Sequence, residues 1–279
     1  MINIGISPIA FTIGSIGIRW YGILVALAIV VLVLWTIREV RRGANISYDT
    51  IVTAALVGIP SGIVASKLLH VIDNIVVAKL HPELVLAGQI IDYTQYPGLI
   101  LSGSGLTFYG AVLGGALAIW IYSRVSRFQF GYLADLVAPG IVLAQAVGRL
   151  GCTMNGCCYG IETSLPWGVI YTNPDSLGPL GVAVHPTQIY ELIYNLILFG
   201  VLLKLRGRFK PDGSLFLIYL ALYALWRLGI DFLRAGNPFL FELHQAQVVA
   251  IIVLAITVSL LAYRTRWVKA EGTDEQIET

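Results

Sequence analysis

Long apolar segments dominate this sequence and constrain its fold more than any other feature. A hydrocarbon core about 30 Å thick is crossed by a helix of roughly 20 apolar residues. Runs of about this length lie near residues 20–37, 51–71, 105–123, 132–149, 185–203, 213–233 and 247–263. Only 12% of the residues are charged, about half the fraction in a soluble domain. The sequence therefore predicts an all-α integral membrane protein, a bundle of about seven transmembrane helices.

The basic residues predict how these helices are oriented, because short cytoplasmic loops are enriched in Lys and Arg. Basic clusters follow the first, third, fifth and seventh apolar segments: Arg38, Arg41 and Arg42; Arg124 and Arg127; Lys204, Arg206, Arg208 and Lys210; and Arg264, Arg266 and Lys269. All four clusters would lie on the cytoplasmic side. We therefore expect the N-terminus outside the cell and the C-terminus in the cytoplasm.

A single membrane domain is expected to occupy residues 1–270. Segments near 72–104 and 150–184 would face outward, the first as an interfacial arm and the second as a loop rich in turn-forming residues. Residues 271–279 are polar and acidic, which predicts a disordered cytoplasmic tail. No internal repeat is evident, so the sequence does not support an inverted-repeat transporter.

Charged residues inside the apolar segments indicate where function resides, because a charge in lipid usually faces a cavity or a partner. Arg149 ends the fourth segment and Arg227 lies within the sixth. Asp231 follows Arg227 by four residues and Tyr223 precedes it by four, so the three share one helix face. This stripe, which could extend to Arg234, predicts a lined cavity. Alternatively, each arginine reaches the interface or only closes an ion pair.

Two tyrosines near the ends of apolar segments have simple structural explanations. Tyr21 lies at the outer end of the first segment, where aromatic residues commonly anchor a helix at the interface. Tyr109 precedes Gly110 and Gly114, and this G-x-x-x-G spacing lets another helix approach closely. From the spacing alone, helix packing is the simpler interpretation of this motif.

Polar residues also mark the beginning of the fifth apolar segment. His185 opens it, and Gln188 and Glu191 follow three residues apart, at neighbouring helical positions. His185 could be an ordinary residue at a helix start. Glu191 is an acidic residue within an apolar run and therefore needs a partner.

All three cysteines of the chain, Cys152, Cys157 and Cys158, fall within seven residues. Zinc sites usually show separated cysteine pairs, often with histidines, and this segment has neither a second pair nor a nearby His. Since free Cys often behaves as a small hydrophobic residue, we interpret the thiols as structural. A redox pair and a metal site remain alternatives, but no metal or cofactor is predicted.

The segment Gly148-Arg-Leu-Gly-Cys-Thr-Met-Asn-Gly-Cys-Cys-Tyr-Gly160 resembles the signature of the prolipoprotein diacylglyceryl transferase family. The resemblance continues, in chain order, in Trp20-Tyr21-Gly22, in Phe108-Tyr109-Gly110, in residues 185–191 and in residues 227–234. These matches run from residue 20 to about residue 247. Seven spans and outward loops also agree with this family, whose members act at the outer leaflet of the bacterial plasma (inner) membrane.

The resemblance implies transfer of the diacylglyceryl group from phosphatidylglycerol to the lipobox cysteine thiol of a prolipoprotein. Arg149 and Arg227 match arginines that surround the lipid head group, and Arg binds phosphate oxygens through paired hydrogen bonds. Together with Tyr21 and Tyr109 they form the expected catalytic set. The expected substrate-binding residues are Asn155, Gly156, Gly160, Tyr223, Asp231, His185, Gln188 and Glu191. Nucleic acid is not an expected partner.

Several positions depart from the family pattern. Tyr109 stands where many members carry a His that has been considered the base, and Tyr, with a reference pKa of about 10, is a poorer proton acceptor. Cys152 and Cys157 replace an Asn and a Glu of some members, and Asp231 replaces a common Glu. The general base therefore stays unassigned.

Two other functions compete with the transferase. A paralogue that binds lipid or prolipoprotein without catalysis would keep the fold and the arginines. A thiol oxidoreductase using Cys157 and Cys158 is weaker, because adjacent cysteines form a strained ring and the C-x-x-C spacing is absent. In the transferase the reacting thiol belongs to the substrate. That hypothesis therefore predicts that the chain's own cysteines are dispensable.

Overall fold

The computed structural model is mainly helical and describes residues 1–14, 16–80, 85, 91–102, 107–236 and 243–267. The helices are α1 (Trp20–Arg41), α2 (Tyr48–Leu80), α3 (Leu99–Ser102), α4 (Phe108–Val125), α5 (Phe130–Asn155), α6 (Thr187–Leu205), α7 (Ser214–Ile230) and α8 (Gln245–Arg264). A short 3₁₀ helix, Asp231–Leu233, continues α7. The predicted tail, 271–279, lies outside the described residues.

Six of these helices are long and apolar enough to cross a membrane, by length and composition, among the residues that the structure describes. They are α1, α2, α5, α6, α7 and α8. The third predicted span corresponds to α4, which is apolar but shorter. The predicted class, an all-α integral membrane protein, is confirmed in this coarser form.

The boundaries of two predicted spans were too narrow. Helix α5 continues past residue 149, where the fourth predicted span ends, to Asn155. Helix α2 has 33 residues and runs through Pro60 to Leu80, so the segment expected to face outward from residue 72 begins as helix. The helix can continue because residues 72–80 contain no Gly or Pro, the two residues that disfavour a helix most. Residues 81–84 and 86–90 of the expected interfacial arm lie outside the described part of the chain.

The chain forms two compact units. The larger contains Met1–Arg42 and Gly131–Thr279, and the smaller contains Gly43–Phe130. The larger unit thus holds α1, nearly all of α5 and α6 to α8, whereas the smaller unit holds α2, α3 and α4. Each unit has its own packing and is described separately.

In the smaller unit, α2 and α4 pack closely through small residues. A Cβ atom on Gly110 would lie 2.7 Å from the backbone oxygen of Ala65, and one on Gly62 would lie 2.9 Å from the backbone oxygen of Ala111. Gly114 faces Ala65 with no room for a side chain. The G-x-x-x-G motif therefore serves helix packing, as its spacing predicts.

In the larger unit, the segments that connect the helices contain short strands that pair with one another. They are β1 (Ile2–Ile4), β2 (Ile9–Ile13), β3 (Ile16–Arg19), β4 (Val169–Tyr171), β5 (Ala183–Val184), β6 (Phe209–Lys210) and β7 (Arg266–Trp267). β1 pairs in parallel with β4, which pairs with β5 in antiparallel orientation. β2 pairs with β3, and β6 pairs with β7. The segment between α5 and α6 is therefore an ordered, strand-containing loop.

The core of the larger unit lies where α5, α6 and α7 meet. Its fully buried apolar residues are Ala138, Val142, Leu198, Leu202, Leu215 and Tyr219. Helix α1 joins this core where the indole nitrogen of Trp35 donates a hydrogen bond to the backbone oxygen of Leu136, 3.1 Å away. Gly140 makes room for the Trp35 ring.

One end of this unit collects three of the four predicted cytoplasmic clusters. Glu39, near the end of α1, is buried and pairs with Arg206, which follows α6. β6 and β7 bring the segment after α6 against the segment after α8. Asp135, at the beginning of α5, accepts hydrogen bonds from the backbone of Gly213 and Phe216, 2.7 and 2.8 Å away, and so caps α7.

Candidate active site

Glu191 lies at the centre of a group of arginines at the other end of the larger unit. It belongs to the second turn of α6, and only 2% of its side chain is exposed. The Nη2 atom of Arg149 lies 2.7 Å from its Oε1 atom, and the hydroxyl of Tyr223 donates to the same oxygen across 2.6 Å. Arg227 and Arg234 approach its Oε2 atom to 3.7 and 4.0 Å.

Asp231 is the second carboxylate of this group. Its Oδ1 atom lies 2.9 Å from Nη2 of Arg227, so the ion pair expected from the four-residue spacing is present. Nε of Arg234 lies 3.7 Å from the same oxygen. We call the group the arginine cluster; its members are Arg149, Glu191, Tyr223, Arg227, Asp231 and Arg234.

The arginine cluster carries an excess of positive charge. Three guanidinium groups, each less than one-fifth exposed, share two carboxylates that are almost fully buried. The Nη1 atom of Arg227 is buried and makes no hydrogen bond within the described part of the chain. Since buried donors and charges require partners, the cluster is suited to bind one further anionic group, and arginine suits phosphate in particular.

The turn after α5 brings the signature segment to the arginine cluster. Helix α5 ends at Asn155, and Gly156 adopts a φ of +73°, a conformation that favours glycine. A side chain on Gly156 would also collide with Ser176. The Oδ1 atom of Asn155 accepts a hydrogen bond from Arg19 across 3.0 Å. Asn155 and Gly156 thus shape the turn, and Arg19 is a polar neighbour that the sequence analysis missed.

Gly160 lets the end of the signature segment contact the residues after α7. It forms a backbone bridge with Arg234 and donates a backbone hydrogen bond to the oxygen of His185, 2.9 Å away. A Cβ atom here would overlap the backbone oxygen of Leu233 and lie 2.5 Å from the Cβ of His185. Gly160 therefore fixes the backbone from which Arg234 reaches Glu191.

The first turn of α6 holds the same segment through side chains. Gln188 donates from Nε2 to the backbone oxygen of Cys157 at 2.7 Å and to the hydroxyl of Tyr171 at 3.2 Å. Burial raises the pKa of Tyr171 to about 12, so this hydroxyl stays protonated at neutral pH. Thr187 donates to the backbone oxygen of Cys158 across 2.6 Å. In this structure Gln188 supports the loop.

His185 lies before α6 rather than within it, and Pro186 is the residue at the helix boundary. Its Nδ1 atom lies 3.3 Å from the hydroxyl of Tyr190, and its backbone pairs with Gly160 and Ile161. The proline explains the position, because the residue before a proline is disfavoured in a helix. His185 therefore belongs to the edge of the loop.

The two expected catalytic tyrosines lie in different units. Tyr21, in the first turn of α1, packs where Gly151 of α5 has no side chain: a Cβ there would be 3.4 Å from the Cα of Tyr21. This places Tyr21 beside the helix that carries Arg149. Tyr109 lies in the first turn of α4, within the smaller unit, and is partly buried.

Taken together, the fold and the site define a membrane protein with several apolar helices, whose larger unit carries a cluster of three arginines and two carboxylates at one end. The sequence profile described as "Prolipoprotein diacylglyceryl transferase" matches residues 8–263. The chain belongs to this family of transferases.

Curated relatives cover nearly the whole chain. A protein of Dehalococcoides mccartyi (strain ATCC BAA-2266 / KCTC 15142 / 195), named phosphatidylglycerol--prolipoprotein diacylglyceryl transferase, is 49% identical over 95% of this chain and 96% of its own length. Proteins of the same name from Clostridium tetani and Corynebacterium efficiens are 35% and 33% identical, over 83% and 93% of this chain and 86% and 82% of their own lengths.

Proposed function

We propose that this protein transfers the diacylglyceryl group of phosphatidylglycerol to the lipobox cysteine thiol of prolipoproteins, the first step of lipoprotein maturation. Family membership supports the reaction class. The observation that carries the proposal is the unbalanced arginine cluster, in which the buried Nη1 atom of Arg227 has no hydrogen bond among the described residues. A phosphodiester supplies the missing anion and acceptor oxygens.

The proposed reaction requires a site that stabilises the negative charge of the departing glycerol phosphate. The lipobox sulfur bonds to the glyceryl carbon that carries the phosphate ester, while the bond from that carbon to the phosphate oxygen breaks. The electron pair of the broken bond stays with glycerol phosphate, and the thiol proton passes to a base or to the departing phosphate. Donors placed around the phosphate stabilise the charge that develops there. Arg149 and Arg227 would provide them.

The other members of the expected site would divide into two groups. Glu191, Asp231 and Tyr223 would hold the guanidinium groups in position, because each contacts an arginine or its carboxylate partner. The residues that shape the loop would set the mouth of the site: Asn155, Gly156, Gly160, His185 and Gln188. Tyr21 and Tyr109 stay in the proposal as catalytic residues, with the general base unassigned.

An apolar cavity beside the cluster would accept an acyl chain. It measures about 430 Å³ and lies between α6 and α7, where Tyr194 stacks on Trp226 with ring centroids 4.3 Å apart. Leu222 and Leu225 contribute aliphatic walls. Trp226 precedes Arg227 in α7, and consecutive helical residues point about 100° apart. An acyl chain in this cavity would therefore lie along the face of α7 next to the one that carries the arginine.

The proposal includes a topology: seven crossings in one domain of residues 1–270, with the N-terminus outside and the C-terminus in the cytoplasm. The site would then face the outer leaflet of the plasma membrane. In the larger unit, the basic segments after α1, α6 and α8 lie at the end opposite to the arginine cluster, which supports this orientation.

Reporter fusions test the orientation directly. Fusions after residues 127 and 269 should both read as cytoplasmic, and a fusion at residue 175 should read as external. A cytoplasmic signal at residue 175 would overturn the proposed side of the active site.

Complementation tests the function against its rivals. In a bacterial strain depleted of its own transferase, the protein should restore the mobility of a model lipoprotein. The purified protein should also release glycerol phosphate from phosphatidylglycerol only when a lipobox peptide is present. A binding paralogue or a thiol oxidoreductase would do neither, so failure of both assays with folded protein would reject the proposal.

A further inference from the structure

The three cysteines, which the proposed reaction does not use, form a compact cluster. Cys152, Cys157 and Cys158 are free, and their sulfur atoms all lie within 4.8 Å of one another. Three thiolates bound at about 2.3 Å to one ion lie roughly 4 Å apart. The sulfur atoms are thus already close to the separation that a shared metal ion requires.

A helix-ending motif creates this arrangement. The backbone nitrogen of Cys157 bonds the oxygen of Cys152 across 3.2 Å, and that of Gly156 bonds the oxygen of Thr153 across 3.4 Å. With Gly156 in the left-handed conformation, this is a Schellman motif, which brings the side chain of the fourth-last helical residue, Cys152, against that of the second residue after the helix, Cys157. In this chain both of those side chains are thiols.

The third thiol is positioned by backbone conformation and by α6. Cys158 has a φ of +63°, uncommon for a residue with a side chain. The buried side chains of Thr187 and Gln188 hold the backbone oxygens of Cys158 and Cys157 at 2.6 and 2.7 Å. A preorganised set of ligands loses little conformational entropy when an ion binds.

The surrounding charge also favours thiolates. Nη1 of Arg149 lies 3.7 Å from the sulfur of Cys152. Three thiolates around a divalent ion leave one negative charge, which a neighbouring guanidinium stabilises. Thiolate ligands select soft ions such as zinc(II) and copper(I) over magnesium and calcium.

We propose that Cys152, Cys157 and Cys158 form a three-thiolate site for one thiophilic metal ion with a filled d shell, of the zinc(II) class. Three S–H bonds lose their protons to solvent and three metal–sulfur bonds form, without a change of oxidation state. The fourth position of a tetrahedral ion stays open to water. The sequence alone left a metal site here only as a disfavoured alternative, since it shows neither paired C-x-x-C motifs nor a nearby His.

Cadmium(II) is a suitable spectroscopic probe for the reduced, full-length protein in detergent. We expect one equivalent per chain, an ultraviolet charge-transfer band from thiolate to cadmium, and protection of the thiols from alkylation. A large excess of zinc(II) should weaken the cadmium band by competing for the same thiolates. The control is the triple variant Cys152→Ser, Cys157→Ser, Cys158→Ser, which lacks all cysteines of the chain and should show no band. A wild-type protein without the band would overturn the site.

A second variant keeps the test decisive if the triple variant fails to fold. Cys158→Ser alone removes a half-buried thiol and should weaken cadmium binding by at least about tenfold. Unchanged affinity would contradict the three-thiolate arrangement. Transferase activity is a separate readout: the cysteine-free variant should retain at least part of it, and a protein that binds cadmium but never transfers lipid would reject only the proposed function.

Discussion

Arg227→Ala should abolish the release of glycerol phosphate from phosphatidylglycerol, and Arg227→Lys should remove most of it, while both variants still insert and fold. Arg227 faces Glu191 and Asp231 and retains a buried nitrogen without a hydrogen bond in the described residues. Lysine keeps the charge but lacks the planar fork that binds two phosphate oxygens at once. Loss of one such donor typically costs about 10²–10³-fold in turnover.

The measurement uses purified protein, phosphatidylglycerol and a lipobox peptide, with glycerol phosphate as the product. Arg208→Ala is the matched control: this arginine stacks over Trp267 near the other end of the larger unit, 5.8 Å from the ring centroid. Its turnover should stay close to that of the unaltered protein. If Arg227→Ala also retained near-normal turnover, the pair with Asp231 would be structural and the role in phosphate binding would be wrong.

Glu191→Ala should both destabilise the protein and inactivate the fraction that remains folded. The substitution leaves Arg227 and Arg234 with Asp231 alone and removes the carboxylate that pairs with Arg149. Removing one partner of a buried ion pair costs about 3–5 kcal/mol, and the partial exposure of these arginines favours the lower end of that range. Without Glu191, Arg149 also loses its 2.7 Å contact and its fixed orientation.

Thermal unfolding in detergent, followed by turnover per folded molecule, separates the two effects. Glu39→Ala provides the matched control, because Glu39 is an equally buried carboxylate that pairs with Arg206 at the opposite end. It should lower the unfolding temperature but leave turnover of the folded protein nearly unchanged. Equal turnover for the two variants would show that Glu191 is not part of the catalytic machinery.

The sequence predicts the class of fold because very few backbone structures can cross a lipid bilayer. Apolar runs of about 20 residues must become helices, since backbone groups find no other partner in lipid. It also predicts local geometry along one helix: Arg227 and Asp231, four residues apart, form the expected pair. The extensions of α2 to Leu80 and of α5 to Asn155 were missed, because hydropathy marks lipid contact rather than the ends of a helix.

Contacts between residues of different helices could not be predicted from the sequence. Glu191 and Arg149 are separated by 42 residues, and only the packing of α5 against α6 shows that they are partners. The same is true of Arg234 and Glu191. Arg19 could have been singled out from the sequence, because it lies at the predicted outer end of a span, whereas basic residues are usually enriched on the cytoplasmic side. Arg149, Arg227 and Arg234 also lie at or near the predicted outer ends of their spans.

The charge imbalance of the arginine cluster has a consequence for the stage after bond transfer. A cluster with one uncompensated guanidinium in weakly polar surroundings is electrostatically unfavourable when empty. If the cluster binds phosphate as proposed, the departure of glycerol phosphate would therefore be assisted by the arrival of another anion. In the proposed reaction, one such anion would be the next phosphatidylglycerol, whose phosphodiester head group carries one negative charge. Product departure and substrate arrival would then be a single exchange of anions, and we expect the turnover of such a site to depend on the anionic lipid content of the membrane around it.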